Sequence, residues 1–190
     1  ASYRNIIDQN NYFEIDNLTK EDLQRAESIK KSIASAQISN KYKSHHDYLV
    51  SLEMKALIDQ VNDVTIERTV QLINKTNQFN TTQEKISISS MKEKVNDGQD
   101  IILNASLSDK FTSHGIVSVM YGKKINMNEI KIDIWVMSCR VFNRGLENLL
   151  FQVFIDYCKK LKFQKITALY RKTDRNINYL NLYENFGFAT

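Results

Sequence analysis

Proline is absent from the 190 residues, glycine occurs five times, and there are only two cysteines, three histidines and one tryptophan. Without proline, the ends of elements are marked by caps, glycines and changes of period. Cys139 and Cys158 make neither a disulfide framework nor a CxxC pair, and His45, His46 and His114 add no zinc-ligand spacing. No structural metal is expected, and a reducing, cytoplasmic compartment is. No apolar run approaches the ~20 residues of a membrane span, so no membrane association is expected; the start also lacks the basic-then-apolar layout of a signal peptide. The ends, Ala1 and Thr190, are expected to be cuts within a longer polypeptide. A concentrated basic block is missing too: the net charge of +4 is scattered. Nucleic acid is therefore not the expected partner, whereas CoA or an acidic carrier protein suits so mild a balance. What is present is an ordinary globular composition, 42% hydrophobic and 25% charged, in a length that buries one core.

Thr19 with Asp22 three residues on reads as the start of a mostly polar helix through Ile33. Ser39 to Ser44 reads as a linker, and Ser44 as the cap of a short helix carrying Tyr48, Leu49 and Leu52. An extended piece over Lys55 to Val61 precedes a helix from Ile66 to Asn74 capped by Thr65, and a short helix is expected from Ser90 to Val95. Asp100 to Ser106, Gly115 to Tyr121 and Ile130 to Cys139 read as three strands of an antiparallel meander, with Gly122 to Asn128 as the last turn. After Gly145, apolar residues at Leu149, Leu150, Val153, Phe154 and Tyr157 keep a 3.6 period, Phe163 to Tyr170 returns as a strand, and a helix over Asn176 to Tyr183 follows. That order is α+β, or mixed α/β, rather than a doubly wound sheet.

The strand ending at Cys139 feeds a helix through Arg140, Val141, Phe142, Asn143, Arg144 and Gly145. Such a turn presents free N–H groups at a helix N-terminus, and Arg140 and Arg144 would add charge-assisted contacts to a pyrophosphate. An ordinary turn relieved by Gly145 is the alternative.

Asn176, then Leu182-Tyr183-Glu184, then Gly187-Phe188 resembles the last helix of GNAT N-acetyltransferases, and Arg144-Gly145 resembles their pyrophosphate turn. The resemblance implies a GNAT-like acyl-CoA N-acyltransferase fold, with a mixed central sheet flanked by helices and an N-terminal helical appendage. It also implies a CoA or phosphopantetheine cofactor held by Cys139, Arg140, Val141, Arg144, Gly145, Leu146, Glu147, Asn176 and Tyr183. Tyr183 would protonate the leaving thiolate, and Asn176 would hold the pantetheine arm. Glu147 stands where that family usually has a second Gly or Ala. For Tyr183 a core-edge aromatic is the alternative.

YLVSLEMK (Tyr48 to Lys55), QLINKTNQFN (Gln71 to Asn80) and DIWVMSCRVFNRGLE (Asp133 to Glu147) resemble the C-terminal half of FkbH-like proteins, and EDLQRA (Glu21 to Ala26) resembles the helical end of their HAD portion. This implies a helical linker over residues 1–45 and a GNAT-like domain over 46–190. It implies, as partners, an N-terminal HAD domain of the same polypeptide and an acyl carrier protein that receives a three-carbon glyceryl unit. The Asp-x-Asp motif of HAD chemistry is absent, so phosphatase chemistry is not expected here.

Within that layout Cys139 lies where the strands splay, and a thiol there can touch a thioester. Pairing across the Gly122 to Asn128 turn puts His114 opposite about Ser138, where an imidazole oriented by Asp109 would activate Cys139. A small buried Cys and a structural His are the alternatives. The acceptor side is expected to be lined by Asn74, Thr76, Asn77, Gln78 and Phe79, or else those residues merely cap a helix end. Acyl transfer through Cys139, acetyl-CoA-dependent N-acetylation with Tyr183 as acid, and a non-catalytic carrier-docking module all remain open readings.

Overall fold

The structure, a computed structural model, describes residues 44–189. The expected helix from Thr19 to Ile33, the Ser39 to Ser44 linker apart from Ser44, and the EDLQRA stretch lie outside the described residues. In chain order the elements are α1 (His45–Ser51), β1 (Lys55–Gln60), α2 (Ile66–Lys75), β2 (Phe79–Asn80), α3 (Ile88–Asp97), β3 (Ile101–Ser108), β4 (Ser113–Lys124), β5 (Glu129–Met137), α4 (Leu146–Lys160), β6 (Lys165–Ala168) and α5 (Leu182–Asn185), with 3-10 turns at Cys139–Val141 and Ile177–Tyr179.

Local chemistry explains most boundaries. Ser44 caps α1 by accepting from the Asp47 N–H at 3.1 Å, as expected. Thr65 makes no side-chain cap to α2; instead Asn62 Oδ1 accepts from the N–H groups of Val64 and Thr65, so an Asx turn launches the helix. Helix α3 starts earlier and ends later than its apolar residues announce, because Ser87 accepts from the Ser90 N–H and Gly98, at φ 64°, stops it in the left-handed region. The expected helix over Asn176 to Tyr183 is broken into a 3-10 turn and a separate four-residue helix.

The sheet runs β1-β3-β4-β5, antiparallel throughout. One face packs on α2 and α3 through Ile66, Val70, Ile73, Met91, Ile102, Val119, Ile134 and Val136; the other packs on α4 and α5 through Leu103, Met120, Ile130, Ile132, Trp135, Leu150, Phe154 and Tyr183. Helix α4 buries Leu146, Leu150, Phe154 and Cys158 at a spacing of four, while Leu149 is turned outward. Each of those large apolar side chains contributes about 2 kcal/mol of burial.

A phase change in β5 organises the fold. Tyr121 pairs with Ile134 and Gly122 with Ile132, leaving Asp133 as an extra residue. The bulge turns Ile130 and Ile132 to one face but Ile134 and Val136 to the other, with Trp135 and Met137 resuming the first. At the same point β6, parallel to β5 from Glu129 to Ile132, leaves it. Beyond the bulge the outer edge of β5 is paired by β2 instead, Phe79 with Met137 and Asn80 with Val136.

Gly122 sits opposite this bulge under the Phe154 ring: a Cβ there would stand 2.5 Å from Phe154 Cε2. Gly122→Ala is therefore predicted to destabilise the fold by about 1–3 kcal/mol through overpacking, read as a lowered urea midpoint with an unchanged slope.

Candidate functional site

Two cavities meet where β5 ends. The first, about 180 Å³, is lined by Arg68, Gln71, Leu72 and Lys75 of α2, by Thr76, Asn77 and Gln78, and by Met137, Ser138, Cys139, Arg140 and Phe142. Cys139 is exposed and opens the 3-10 turn just past the strand, which ends at Met137, two residues short of the expected end at Cys139. The second cavity, about 230 Å³, lies between α4 and α5 and shares Met137 and Phe142 with the first. Phe79, Tyr179 and Phe186 line it, together with Glu147. Phe79 and Tyr179 pack with ring centres 4.6 Å apart and planes tilted by 54°, and Phe142 meets Tyr179 at 5.5 Å.

The edge of β5 that separates from β6 is where the sequence reading places a thioester arm. In the structure that edge is taken by the chain itself. Trp135 N–H donates to Thr81 Oγ1 at 3.0 Å, and Trp135 C=O accepts from Thr81 N–H at 3.1 Å. On the far side, Arg171 N–H donates to Thr81 C=O at 2.7 Å and Asn176 Nδ2 donates to Asn80 C=O at 2.8 Å. Residues 79–81 thus bridge β5 and the segment leaving β6.

Asn176 is fully buried and fully engaged: Nδ2 also donates to Arg171 C=O, and Oδ1 accepts from the Thr173 N–H and hydroxyl. An amide has two donors and two acceptor sites, so none remains for a pantetheine arm. Asn176 is a clamp on β2 rather than a cofactor contact. Tyr183 does not reach the cavity at Cys139. It is 8% exposed, packed against Trp135, Tyr170 and Phe188 behind β2, and burial pushes its phenol well above the ordinary value. The tyrosine in the wall of the second cavity is Tyr179, three residues after Asn176, on the 3-10 turn. Its phenol is raised by burial first, then by the Glu147 carboxylate and the Cys139 sulfur. Its spacing from Asn176 was the available signal, and the break after Tyr179 hid it.

The pyrophosphate turn is also rearranged. Asn143 (φ 59°) and Gly145 (φ 77°) are both left-handed, and His45 Nε2 lies 3.1 Å from Asn143 C=O. This turn points Arg144 inward: its guanidinium, 9% exposed, donates to Asp109 Oδ2 at 2.7 Å. His114 Nε2 meets the same oxygen at 3.0 Å and Arg144 Nη1 at 3.3 Å. Asp109 does face the His114 ring, but the register differs from the expectation: Val117, not His114, receives the Ser138 N–H. β4 runs on to Lys124 and the turn is tighter than expected, which shifts the register by two residues, and the bulge at Asp133 adds the third. Val141 and Leu146 are core side chains, and Glu147 carries a buried Oε2 with no hydrogen-bond partner among the described residues. Arg140 keeps its place in the Cys139 cavity, donating from Nε to Ser138 Oγ.

Of the expected acceptor contacts, Thr76, Asn77 and Gln78 line the Cys139 cavity. Asn74 instead ties α2 to the next loop, donating to Ile86 C=O and accepting from Ile86 N–H. Phe79, 2% exposed, belongs to the core and to the wall of the second cavity. Among the described residues no cluster of His, Cys, Asp or Glu is arranged to hold a metal, and no helix is long and apolar enough to cross a membrane.

No protein-family profile and no curated protein matches the chain. Solved structures do. A ribosomal-protein-alanine N-acetyltransferase from Brucella melitensis superposes with a TM-score of 0.54 at 12% identity, covering 72% of this chain and 93% of that one. Ard1 from Thermoplasma volcanium gives 0.54 at 14%, over 70% and 82% of the two chains. AAC(6')-Iy, solved with the bisubstrate analog CoA-S-monomethyl-acetylneamine, gives 0.54 at 10%, over 72% and 92%. The fold is therefore the GNAT fold, a mixed sheet flanked by helices. A transcriptional regulator from Bacillus halodurans is similar at a TM-score of 0.52 as well, which shows that the fold does not settle the activity.

The buried Asp109–His114–Arg144 cluster makes stability pH-dependent. Burial, followed by the charge of Arg144, outweighs Asp109 and holds His114 below 6.5. Burial pushes Asp109 up, but hydrogen bonds from His114, Arg144 and the Phe111 and Thr112 amides bring it below 3.8. Between the folded His114 value and 6.5 the unfolded chain holds a proton that the folded chain lacks. Stability is thus constant with respect to His114 above 6.5 and falls, by at most about 1.4 kcal/mol per pH unit, as pH drops through that interval. The Asp109 contribution is complete above 3.8 and is lost as pH falls through its lower folded value. Urea midpoints measured against pH should show both limbs in the wild type, and His114→Gln should flatten the upper one.

Proposed function

We propose that this chain is an acyl-transfer domain in which Cys139 takes the acyl group as a thioester. The observation that carries this reading is the position of Cys139. It is an exposed thiol in a cavity lined by Arg68, Lys75 and Arg140, while the β5 edge next to it is closed by the chain's own Thr81. Three cationic side chains favour a donor that carries phosphate or carboxylate. The Cys139 sulfur attacks the acyl carbonyl, the bond to the leaving oxygen or sulfur breaks with its electron pair, and the thiol proton departs with that group. A second thiol then attacks the Cys139 thioester and carries the acyl group away, restoring the free cysteine. Arg144, held by Asp109 and His114, anchors the turn that presents Cys139, so these three are positioning residues.

The resemblance to FkbH-like proteins supplies the identities. The acyl unit is a three-carbon glyceryl group, the acceptor is the phosphopantetheine thiol of an acyl carrier protein, and residues 1–45 lead from a preceding HAD domain into the transferase domain at 46–190. The cytoplasm is the compartment in which such a thiol stays reduced.

Acetyl-CoA-dependent N-acetylation is the second reading, favoured by the names of the fold neighbours. It needs an open thioester edge and an accessible Tyr183, and neither accords with the hydrogen bonds of Thr81 or the burial of Tyr183.

Intact mass of the protein, and of Cys139→Ser, is measured after incubation with its HAD partner, a phosphorylated three-carbon acyl donor and holo acyl carrier protein. The reading predicts an acyl adduct on the wild type that the variant lacks. Acetyl transfer from acetyl-CoA to an amine, unaffected in Cys139→Ser, would establish the second reading instead. Carrier binding with no adduct and no transfer would make the domain a docking module.

A further inference from the structure

β1 is the outermost strand on one side of the sheet. It pairs with β3 along its whole length, Lys55 to Gln60, and no strand among the described residues pairs its other edge. Val61 N–H donates to Ile102 C=O, which fixes the alternation of this antiparallel ladder. Lys55, Leu57 and Asp59 therefore turn their main-chain groups toward β3, and Ala56, Ile58 and Gln60 turn theirs outward. The hydroxyls of Ser108 and Ser106 reach the carbonyls of Lys55 and Leu57 from the β3 side, in accord with that assignment. An open edge of this length is a template for another strand.

Its side chains narrow the choice of strand. Leu57 is 66% exposed, and Lys55 and Asp59, two residues to either side on the same face, are exposed as well. Asp59 Oδ1 accepts from the Gln60 N–H at 3.0 Å, which satisfies the last outward donor of the strand. Ala56 and Ile58 are left offering an N–H and a C=O each.

Two antiparallel copies of one strand related by a two-fold axis must set some residue against itself, because the axis stands normal to the sheet and keeps every side chain on its own face. With Ala56 on the axis, Lys55 meets Leu57. With Ile58 on the axis, Leu57 meets Asp59. Only with Leu57 on the axis do the charges match: Leu57 then meets its own copy, and Lys55 meets Asp59 at both ends. In that register Ala56 of each copy exchanges two main-chain hydrogen bonds with Ile58 of the other. Leu57 and the two charged pairs fall at the non-hydrogen-bonded positions, where facing side chains lie closest.

We infer that β1 is an interaction surface for a second copy of this chain, the two strands pairing antiparallel about Leu57 with Lys55 of each copy against Asp59 of the other. The two sheets then continue into one. β5, whose tip leads to Cys139, lies three strands from the join, roughly 14 Å away, so each copy keeps its cavities open. The two-fold axis sets the two cysteines at opposite ends of the joined sheet.

So short a junction belongs to the weak class of interfaces, and sedimentation velocity over about 10 to 500 µM, with amide hydrogen exchange at both limits, tests it. The weight-average sedimentation coefficient should rise with concentration, and the Ala56 and Ile58 amides, open in the single chain, should become protected. Lys55→Asp faces carboxylate with carboxylate and Asp59→Lys faces ammonium with ammonium, so each should raise the dissociation constant by about tenfold. Lys55→Asp combined with Asp59→Lys recreates both pairs and should return association to the wild-type level, a rescue that damage to the fold would not give. Leu57→Glu should leave a monomer whose urea midpoint matches the wild type.

A wild type that stays monomeric throughout the range would overturn the inference. So would a dimer that the single reversals leave intact, or one that the combined exchange fails to rescue. Protection that appears on β6 instead of Ala56 and Ile58 would place the join on the other side of the sheet and overturn it equally.

Discussion

Two hydrogen bonds between Thr81 and Trp135 set the shape of the candidate site. They close the main-chain edge of β5 just past the bulge at Asp133, where β6 has already left. A strand edge offers only one set of N–H and C=O groups, so a segment that occupies it excludes any other extended chain, a pantetheine arm included. The occupant is anchored on its other side by Arg171 N–H and by Asn176, whose amide is saturated. Displacing it would leave several buried polar groups unpaired, at about 1–3 kcal/mol each.

In the proposed reading the chemistry falls at the tip of β5. Cys139 stands in a cavity with cationic walls, and the neighbouring cavity has aromatic walls and one carboxylate. The turn between strand and α4 no longer presents its second arginine outward. Arg144 is drawn into a buried cluster with Asp109 and His114, where the ion pair fixes the turn rather than greeting a ligand. Its cost of desolvation is tolerable because Asp109 also accepts from the Phe111 and Thr112 amides.

Much of the scaffold was legible in the sequence because it rests on local signals. The meander, the amphipathic α4 and the cap at Ser44 follow from alternation, a 3.6 period and a polar side chain before a helix. The site was less legible, and each discrepancy has a physical reason. β2 is two residues long, lies in a polar stretch and pairs with a strand more than fifty positions away, so no periodicity marks it. The GNAT resemblance implies ligand contacts at Asn74 and Asn176, yet both amides are consumed by backbone groups brought to them by tertiary packing. Tyr183 and Tyr179 are four residues apart and would share a helical face, but the break after the 3-10 turn buries one and leaves the other in the cavity wall. The inward turn of Arg144 depends on two left-handed residues and on Asp109, thirty-five positions earlier. Cys139 and the Thr76 to Gln78 stretch do come together, because Phe79, which follows that stretch, pairs with Met137 at the end of β5.

Whether the β5 edge is closed to thioester arms is read from backbone NMR during a titration with CoA. The amides of Thr81, Trp135 and Met137 should keep their shifts and their slow hydrogen exchange at saturating CoA. Large shifts at Trp135 and Met137, with loss of protection at Thr81, would show that CoA displaces β2 and would contradict the closure.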